Sequence, residues 1–160
     1  MGENKFTIIL LGAVFIKDDN GKVLLVQEAQ DKKYSKCKDK WTIPHGGYDK
    51  FGESIKDLVS RKLLEEAGFE CQFTGNHLCV EGYDLRQKRI VLVSIIGEGR
   101  SAKKVQERLI DEIKDVRYFS ESEIAEMIRN NQIRDNLPID KIIEAFEDNS
   151  YEILRWELDR

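Results

Sequence analysis

One stretch of the chain, GYDKFGESIKDLVSRKLLEEAGF at 47–69, spaces acidic and basic residues in a way that could carry chemistry. On a helix of about 3.6 residues per turn, Arg61, Glu65 and Glu66 fall within about 140° of arc. Glu53 stands just before the helical segment. Two adjacent carboxylates and a third from the helix start can therefore converge near one point.

Converging carboxylates are typical of a site for a hard divalent cation. Mg²⁺ prefers oxygen ligands and uses few carboxylates together with substrate phosphates. The spacing therefore predicts that Glu53, Glu65 and Glu66 bind Mg²⁺ or Mn²⁺. Alone, Glu65 and Glu66 would be a solvated helix face, and Arg61 with Glu65 an ordinary surface pair. The ordered combination favours the metal site.

Two glycines precede this segment and suggest a close approach of backbone to ligand. Gly46 and Gly47 are expected to let the chain bend sharply, and a carbonyl from this turn, at Gly47, could be a further oxygen ligand.

The whole stretch resembles the Nudix box, Gly-x5-Glu-x7-Arg-Glu-apolar-x-Glu-Glu-x-Gly-apolar. The positions that match are Gly47, Glu53, Arg61, Leu63, Glu65, Glu66, Gly68 and Phe69. The resemblance covers about residues 6–147 and implies an α/β fold, an α/β/α sandwich around a mixed β-sheet. It also implies metal-assisted attack of water on a phosphorus, which hydrolyses a nucleoside diphosphate linked to another moiety.

One position departs from the family pattern. Lys62 stands where the box has a glutamate that often binds metal. Each unit of charge at about 4 Å and an effective dielectric of about 20 is worth about 4 kcal/mol before screening, so metal affinity should fall. Lys62 could pair with Glu66, or its ammonium could contact phosphate in place of one metal. A nucleotide-binding or sensor module without turnover is therefore the alternative function.

Residues outside the helix complete the predicted site. His45 could contact phosphate or act in acid–base chemistry, and Tyr48 could stack on a ring. The alternatives are polar surface for His45 and packing for Tyr48. In the family a carboxylate from the region of Glu112 can act as base, although a solvated loop acid is equally consistent. The predicted catalytic residues are Arg61, Glu65, Glu66 and Glu112, the metal ligands Gly47, Glu53, Glu65 and Glu66, and the substrate contacts His45, Tyr48 and Lys62.

The elements that must position these residues follow from periodicity and turn signals. The stripe Ile55, Val59 and Leu63 predicts the box helix, and Ser120 opens another with a capping box. Asn-Gly at 20–21 predicts a hairpin between the first two strands. The predicted strands cover 6–16, 23–26, 41–43, 69–73, 78–83, 89–96 and 116–119, and the helices 54–67, 120–130 and 139–147. The tail is either a short helix or an edge element, and Trp156 suggests that it docks.

Composition limits the function classes. With 160 residues the chain suits one domain, 1–160, with a core at about 6–147 and a tail at 148–160. A net charge of −4 argues against binding to bulk nucleic acid but does not exclude an anionic small ligand. The resemblance to the Nudix family implies that the partner is a small phosphorylated molecule such as a nucleotide. No apolar run approaches the roughly 18 residues of a membrane helix. Three cysteines without CxxC spacing favour a reducing cytoplasm.

Overall fold

The computed structural model describes residues 7–33, 35–48 and 50–158. Phe6, the predicted start of the first strand, and residues 159–160 of the tail lie outside the described residues. Within the described ranges the elements are β1 (Ile9–Ile16), β2 (Val23–Glu28), β3 (Trp41–Thr42), β4 (His45–Gly47), α1 (Ile55–Ala67), β5 (Phe69–Asp84), β6 (Arg89–Lys104), β7 (Ile113–Phe119), α2 (Glu121–Arg129), α3 (Ile139–Glu147) and β8 (Leu154–Leu158).

The described strands form two sheets, one with the order β4-β1-β6-β5-β8 and one with the order β3-β2-β7. The first is mixed, because β1 runs parallel to β6 and antiparallel to β4. The predicted hairpin between β1 and β2 forms only at its turn, where Asp18 Oδ1 accepts from the backbone N–H of Asn20 and Lys22. Beyond the bridge Lys17–Val23 the strands enter different sheets, because each finds a longer partner there.

Apolar side chains on β1 cover both faces of the sheet. Ala13 and Phe15 pack with residues of α2 and α3, while Val14 and Ile16 pack with residues of α1. Successive side chains of a strand point to opposite faces, so the continuous apolar run of β1 requires helices on both sides. The expected α/β/α arrangement is confirmed.

The box forms the loop-helix-loop that its resemblance implies. The Ser54 side chain accepts a hydrogen bond from the N–H of Asp57 and so begins α1, as N-cap residues do. Gly68 ends the helix in the left-handed conformation at φ 74°, which glycine adopts without steric cost. Val59 and Leu63 of the predicted stripe are buried, together with Leu58, whereas Ile55 is half-buried. The helix is thereby fixed at both ends and along one side.

The central hairpin is longer than predicted. The segments 69–73 and 78–83 belong to one strand, β5, and β6 continues to Lys104. Thr74, Gly75 and Asn76 carry the signals of a turn, but they form an irregularity in the pairing between Phe73 and His77. Gly75 has φ 89° there, and a bulge keeps the strand continuous.

The C-terminal segment is a strand, β8, at the edge of the larger sheet. It runs parallel to β5, with Val80 opposite Leu154 and Asp84 opposite Leu158. The predicted capping box at Ser120 is confirmed by reciprocal hydrogen bonds with Glu123. In the described part of the chain, no helix is long and apolar enough to cross a membrane.

Candidate active site

A cavity of about 360 Å³ opens between the C-terminal half of α1, strand β4 and the segment 134–136. Its described lining combines apolar residues of β1 and β6 with charged residues from five parts of the chain. These residues are Ile9, Leu11, Glu28, Lys32, Lys33, Ser35, His45, Gly46, Gly47, Lys62, Glu66, Leu92, Glu112, Arg134 and Asn136.

Arg61 gathers two of the predicted metal ligands. Its Nε and Nη2 donate to the Glu53 carboxylate at 2.8 and 3.0 Å. Its Nη1 lies 3.3 Å from both carboxylate oxygens of Glu65. The Glu53 side chain is 10% exposed and that of Glu65 is 35% exposed. The two-pronged contact to Glu53 fixes the loop before α1 against the helix.

Lys62 lines the cavity and also contacts Glu65, the carboxylate that pairs with Arg61. Its Nζ is 3.6 Å from Glu65 Oε2, so its ion pair within the described residues is with Glu65 and not with Glu66. The methylene carbons of Lys62 cover Gly46, and a Cβ at that position would overlap them.

The two glycines lie in the extended strand β4, where Gly46 pairs with Gly12 and Gly47 with Leu11. Their predicted role in a sharp bend is therefore wrong. Gly46 is needed because the Lys62 side chain crosses its backbone at close range. Gly47 lines the cavity, as a possible carbonyl ligand must.

Glu66 points away from Arg61 and into the protein. Its Oε2 accepts a hydrogen bond of 3.1 Å from the backbone N–H of His45. Glu66 is 9% exposed, and this burial raises its pKa to about 8, with the charge of Glu28 adding to the effect. The helix thus gives Glu65 and Glu66 opposite surroundings, although they are neighbours in the sequence.

His45 is a buried hydrogen-bonding centre of the cavity. Its Nδ1 is 3.0 Å from the Ile43 carbonyl, so Nδ1 carries the proton and Nε2 accepts. Asn136 Nδ2 donates to Nε2 at 3.1 Å, and Arg134 Nη1 lies 3.4 Å from the same atom. Burial, reinforced by the charge of Arg134, lowers the pKa of His45 to about 4. The ring is neutral near pH 7.

Glu28, Arg134 and Asn136 belong to the site but were not predicted from the sequence. Arg134 Nη1 donates to Glu28 Oε1 at 2.8 Å, and both side chains are nearly buried. Glu28 Oε2, Arg134 Nε and Asn136 Oδ1 have no hydrogen-bond partner among the described residues. The one signal in the sequence was a glutamate at the end of an apolar strand. Buried polar atoms of this kind need a partner such as a bound molecule or water.

Lys32 links the lysine-rich loop to the opposite wall of the cavity. Its Nζ contacts Glu112 Oε2 at 2.5 Å and Glu28 Oε2 at 3.7 Å. Burial lowers the pKa of Lys32, but the contacts with Glu112 and Glu28 outweigh it and leave the pKa raised. The same hydrogen bond lowers the pKa of Glu112. Both groups are charged near neutral pH.

Tyr48 is 42% exposed and follows β4 directly, where its N–H lies 3.4 Å from the Leu10 carbonyl. It is not among the described residues that line the cavity.

The carboxylates of the box suit a divalent cation in their chemistry, because they are hard oxygen donors. Glu65 is accessible and Glu66 borders the cavity. Within 7–33, 35–48 and 50–158, no group of three or more His, Cys, Asp or Glu side chains is gathered closely enough to hold a metal ion. By their chemistry these carboxylates suit a divalent cation, but the predicted convergence of Glu53, Glu65 and Glu66 on one point is not seen among the described residues.

Comparison with known proteins places this geometry in a family. The model of the NUDIX domain matches residues 11–143. A nudix-type protein of Caenorhabditis elegans is 40% identical over 53 residues, which are 33% of this chain and 13% of that protein.

Solved structures share the fold at low sequence identity. A NUDIX hydrolase from Nitrosomonas europaea has a TM-score of 0.71 at 19% identity. The match covers 98% of this chain and 82% of the Nitrosomonas europaea chain. A bifunctional NMN adenylyltransferase/ADP ribose pyrophosphatase from Francisella tularensis, complexed with AMP and a Mn ion, has a TM-score of 0.65 at 18% identity. That match covers 91% of this chain and 43% of the other. From the family match over 11–143, the chain belongs to the Nudix family.

Proposed function

We propose that this protein is a metal-dependent hydrolase that cleaves the pyrophosphate linkage of a nucleoside diphosphate joined to another moiety. The observation that carries the proposal is the cavity, in which box residues meet a basic loop. Gly47, Lys62 and Glu66 of the box line the same space as Lys32 and Lys33. The partner is a small phosphorylated molecule, and the three free cysteines support a cytoplasmic location.

The positive charges of the cavity lysines can balance the negative charge of a diphosphate. Lys32, Lys33 and Lys62 line one cavity of about 360 Å³, and ammonium groups bind phosphate oxygens as point charges. Lys32 and Lys62 each contact a carboxylate in this structure, Glu112 and Glu65. Phosphate oxygens can compete for both ammonium groups, so binding of substrate would loosen these ion pairs.

Glu53, Glu65 and Glu66 would hold the divalent cation, and Arg61 positions the first two. A bound Mg²⁺ or Mn²⁺ would offset phosphate charge and make water more acidic. The Mn ion named for the Francisella tularensis protein supports this assignment by likeness of fold. Of the three carboxylates, only Glu66 borders the cavity.

Glu112 is the proposed base for the attacking water. It lines the cavity and is charged, because its hydrogen bond with Lys32 lowers its pKa. A carboxylate with a lowered pKa accepts a proton weakly. Displacement of Lys32 by phosphate would remove that constraint and make Glu112 a stronger base.

A second function, binding without turnover, is favoured by Lys62 alone. A cation 3.6 Å from Glu65 neutralises charge that the metal would need. On this alternative the ammonium takes the place of a metal and holds a diphosphate without activating water.

A hydrolysis panel tests the two functions. Nucleoside triphosphates, ADP-ribose, dinucleoside polyphosphates and nucleotide sugars are incubated with wild type, Glu66→Gln and Lys62→Glu, with Mg²⁺ and with Mn²⁺. Glu70→Gln, an exposed glutamate on β5, is the matched control. We expect turnover by wild type and by Glu70→Gln, and a loss of at least about 100-fold for Glu66→Gln, because one removed electrostatic group costs about that much.

Two results would contradict the proposal. An inactive wild type together with an active Lys62→Glu would support the binding module. Unchanged turnover in Glu66→Gln would remove Glu66 from the catalytic group.

A further inference from the structure

The C-terminal strand β8 lies directly behind the cavity and contacts residues that line it. Trp156 Nε1 donates a hydrogen bond of 2.8 Å to the carbonyl of Asp135. Asp135 lies between Arg134 and Asn136, which both line the cavity. One hydrogen bond from β8 thus holds the backbone of the segment 134–136 at the cavity.

The same strand also supports the apolar wall. Leu158 is buried in a cluster with Val91 and Leu92, and Leu11 and Trp156 pack against this cluster. Leu11 and Leu92 line the cavity on their other side. Two side chains of β8, Trp156 and Leu158, therefore pack in the same cluster as two lining residues, Leu11 and Leu92.

The direction of the β8 side chains follows from strand alternation. Leu154, Trp156 and Leu158 are half-buried or buried, while Arg155 and Glu157 are exposed on the opposite face. Parallel pairing with β5 from Val80 to Asp84 fixes the strand along its length. Trp156 is therefore held opposite Gly82, and from there its Nε1 reaches the Asp135 carbonyl.

The position of the segment 134–136 matters because its side chains form directional hydrogen bonds. Asn136 donates to His45 Nε2 at 3.1 Å and Arg134 donates to Glu28 Oε1 at 2.8 Å. These bonds determine where Asn136 Oδ1, Arg134 Nε and Glu28 Oε2 lie, the buried atoms without a hydrogen-bond partner among the described residues. Hydrogen bonds weaken steeply with misalignment, so movement of the 134–136 backbone would displace the groups that a ligand meets.

We propose that β8 is a positioning element of the ligand site and that Trp156 is its positioning residue, which fixes the segment 134–136 through Asp135. Its effect on substrate rests on the proposed function, because that function places the substrate in this cavity. Glu65 and Glu66 belong to α1, and neither forms a hydrogen bond with β8 among the described residues. The tail therefore acts on binding and leaves the chemical step intact.

Trp156→Phe tests the proposal, because it keeps an aromatic ring and removes only the N–H donor. Arg155→Ala is the matched control on the same strand, since its guanidinium lies 4.0 Å over the Tyr83 ring on the exposed face. Hydrogen–deuterium exchange of the amides at 133–137 and of α1 is measured first, without ligand. Steady-state kinetics with ADP-ribose and Mg²⁺ follow for both variants.

For Trp156→Phe we expect exchange at 133–137 to rise about fivefold to tenfold, the effect of one lost hydrogen bond, with exchange in α1 unchanged. KM should rise about threefold to tenfold while kcat stays within about twofold of wild type. Arg155→Ala should match wild type in all three readouts.

Equal exchange at 133–137 in both variants would overturn the positioning role. A fall in kcat at constant KM would overturn the assignment to binding. If wild type neither binds nor hydrolyses ADP-ribose, that result counts against the proposed function, and the exchange comparison alone decides whether Trp156 fixes the segment.

Discussion

Helix α1 presents two acidic sides with different surroundings. On one side Arg61 holds Glu53 and Glu65, and the Glu65 side chain is 35% exposed. On the other side Glu66 is 9% exposed and accepts from the His45 backbone. Consecutive helical residues point about 100° apart, which is enough to place one carboxylate in a charged, accessible cluster and the next in a buried network.

The comparison shows that charge compensation and burial have separate consequences. Glu65 has a guanidinium at 3.3 Å and a side chain that is 35% exposed, whereas Glu66 has one backbone donor and is 9% exposed. Burial favours the neutral form of a carboxyl group, so the pKa of Glu66 is raised to about 8.

The largest expected effect concerns the pH dependence of stability on the Glu66 side. A carboxyl group whose pKa rises from 4.5 when unfolded to about 8 when folded stabilises the fold below pH 4.5 and loses that contribution as pH rises through 8. The difference of about 3.5 in pKa corresponds to on the order of 5 kcal/mol. Urea denaturation with EDTA at pH 5 and pH 8 should show this slope in wild type, and Glu66→Gln should flatten it. A steep slope that persists in the variant would refute the origin in Glu66.

The next effect concerns the Arg61 side. Arg61→Gln removes the guanidinium that contacts both Glu53 and Glu65. The two carboxylates then repel each other. Because the Arg61 and Glu53 side chains are 16% and 10% exposed, we expect a loss of about 3 kcal/mol in the free energy of unfolding. The double variant with Glu53→Gln should recover part of it. A loss under about 0.5 kcal/mol would show that the pair behaves as a surface ion pair.

A smaller loss of stability is expected at Gly46, which packs against Lys62 of α1. Gly46→Ala places a methyl group against the Lys62 methylenes and should cost about 1–2 kcal/mol by overpacking. Gly47→Ala is the control, because the nearest described atom to its added Cβ is Leu11 Cδ2 at 3.9 Å. Thermal unfolding measures both. Combining Gly46→Ala with Lys62→Ala should remove the cost, and an equal cost for both glycine variants would contradict the contact.

The smallest effect is predicted for Glu65→Gln. Its carboxylate is 35% exposed and pairs with Arg61 and Lys62, and exposed ion pairs contribute a few tenths of a kcal/mol. Urea midpoints of the variant and wild type should nearly coincide at pH 7. A loss above about 1 kcal/mol would mean that the two sides of α1 are energetically more alike than their burial indicates.

Local patterns predicted the elements that depend on neighbouring residues. The helix from Ser54 to Gly68 follows from its cap, its apolar stripe and a terminal glycine, and all three act within a few residues. The capping box at Ser120 is local in the same sense. The hairpin at Asn20-Gly21 was predicted on equally local grounds, and only its turn formed, because strand pairing is decided by distant partners.

The resemblance of 47–69 to the box was enough to predict the family and the α/β/α fold. It could not reveal Glu28, Arg134 or Asn136, because Glu28 and the segment 134–136 both lie outside the box and are about 106 residues apart in the sequence. The His45 ring contacts Arg134 and Asn136 across about ninety residues of sequence, and Arg134 in turn donates to Glu28.

The sequence by itself determined the box helix, its order of charges and the lysine at position 62, because each is a property of residue types at fixed spacing. Only the tertiary structure decided that Glu66 is buried while Glu65 is paired with Arg61. It also decided that the tail forms a strand behind the cavity. The physical reason is that burial and pairing depend on which distant segments pack together, and no local pattern specifies that.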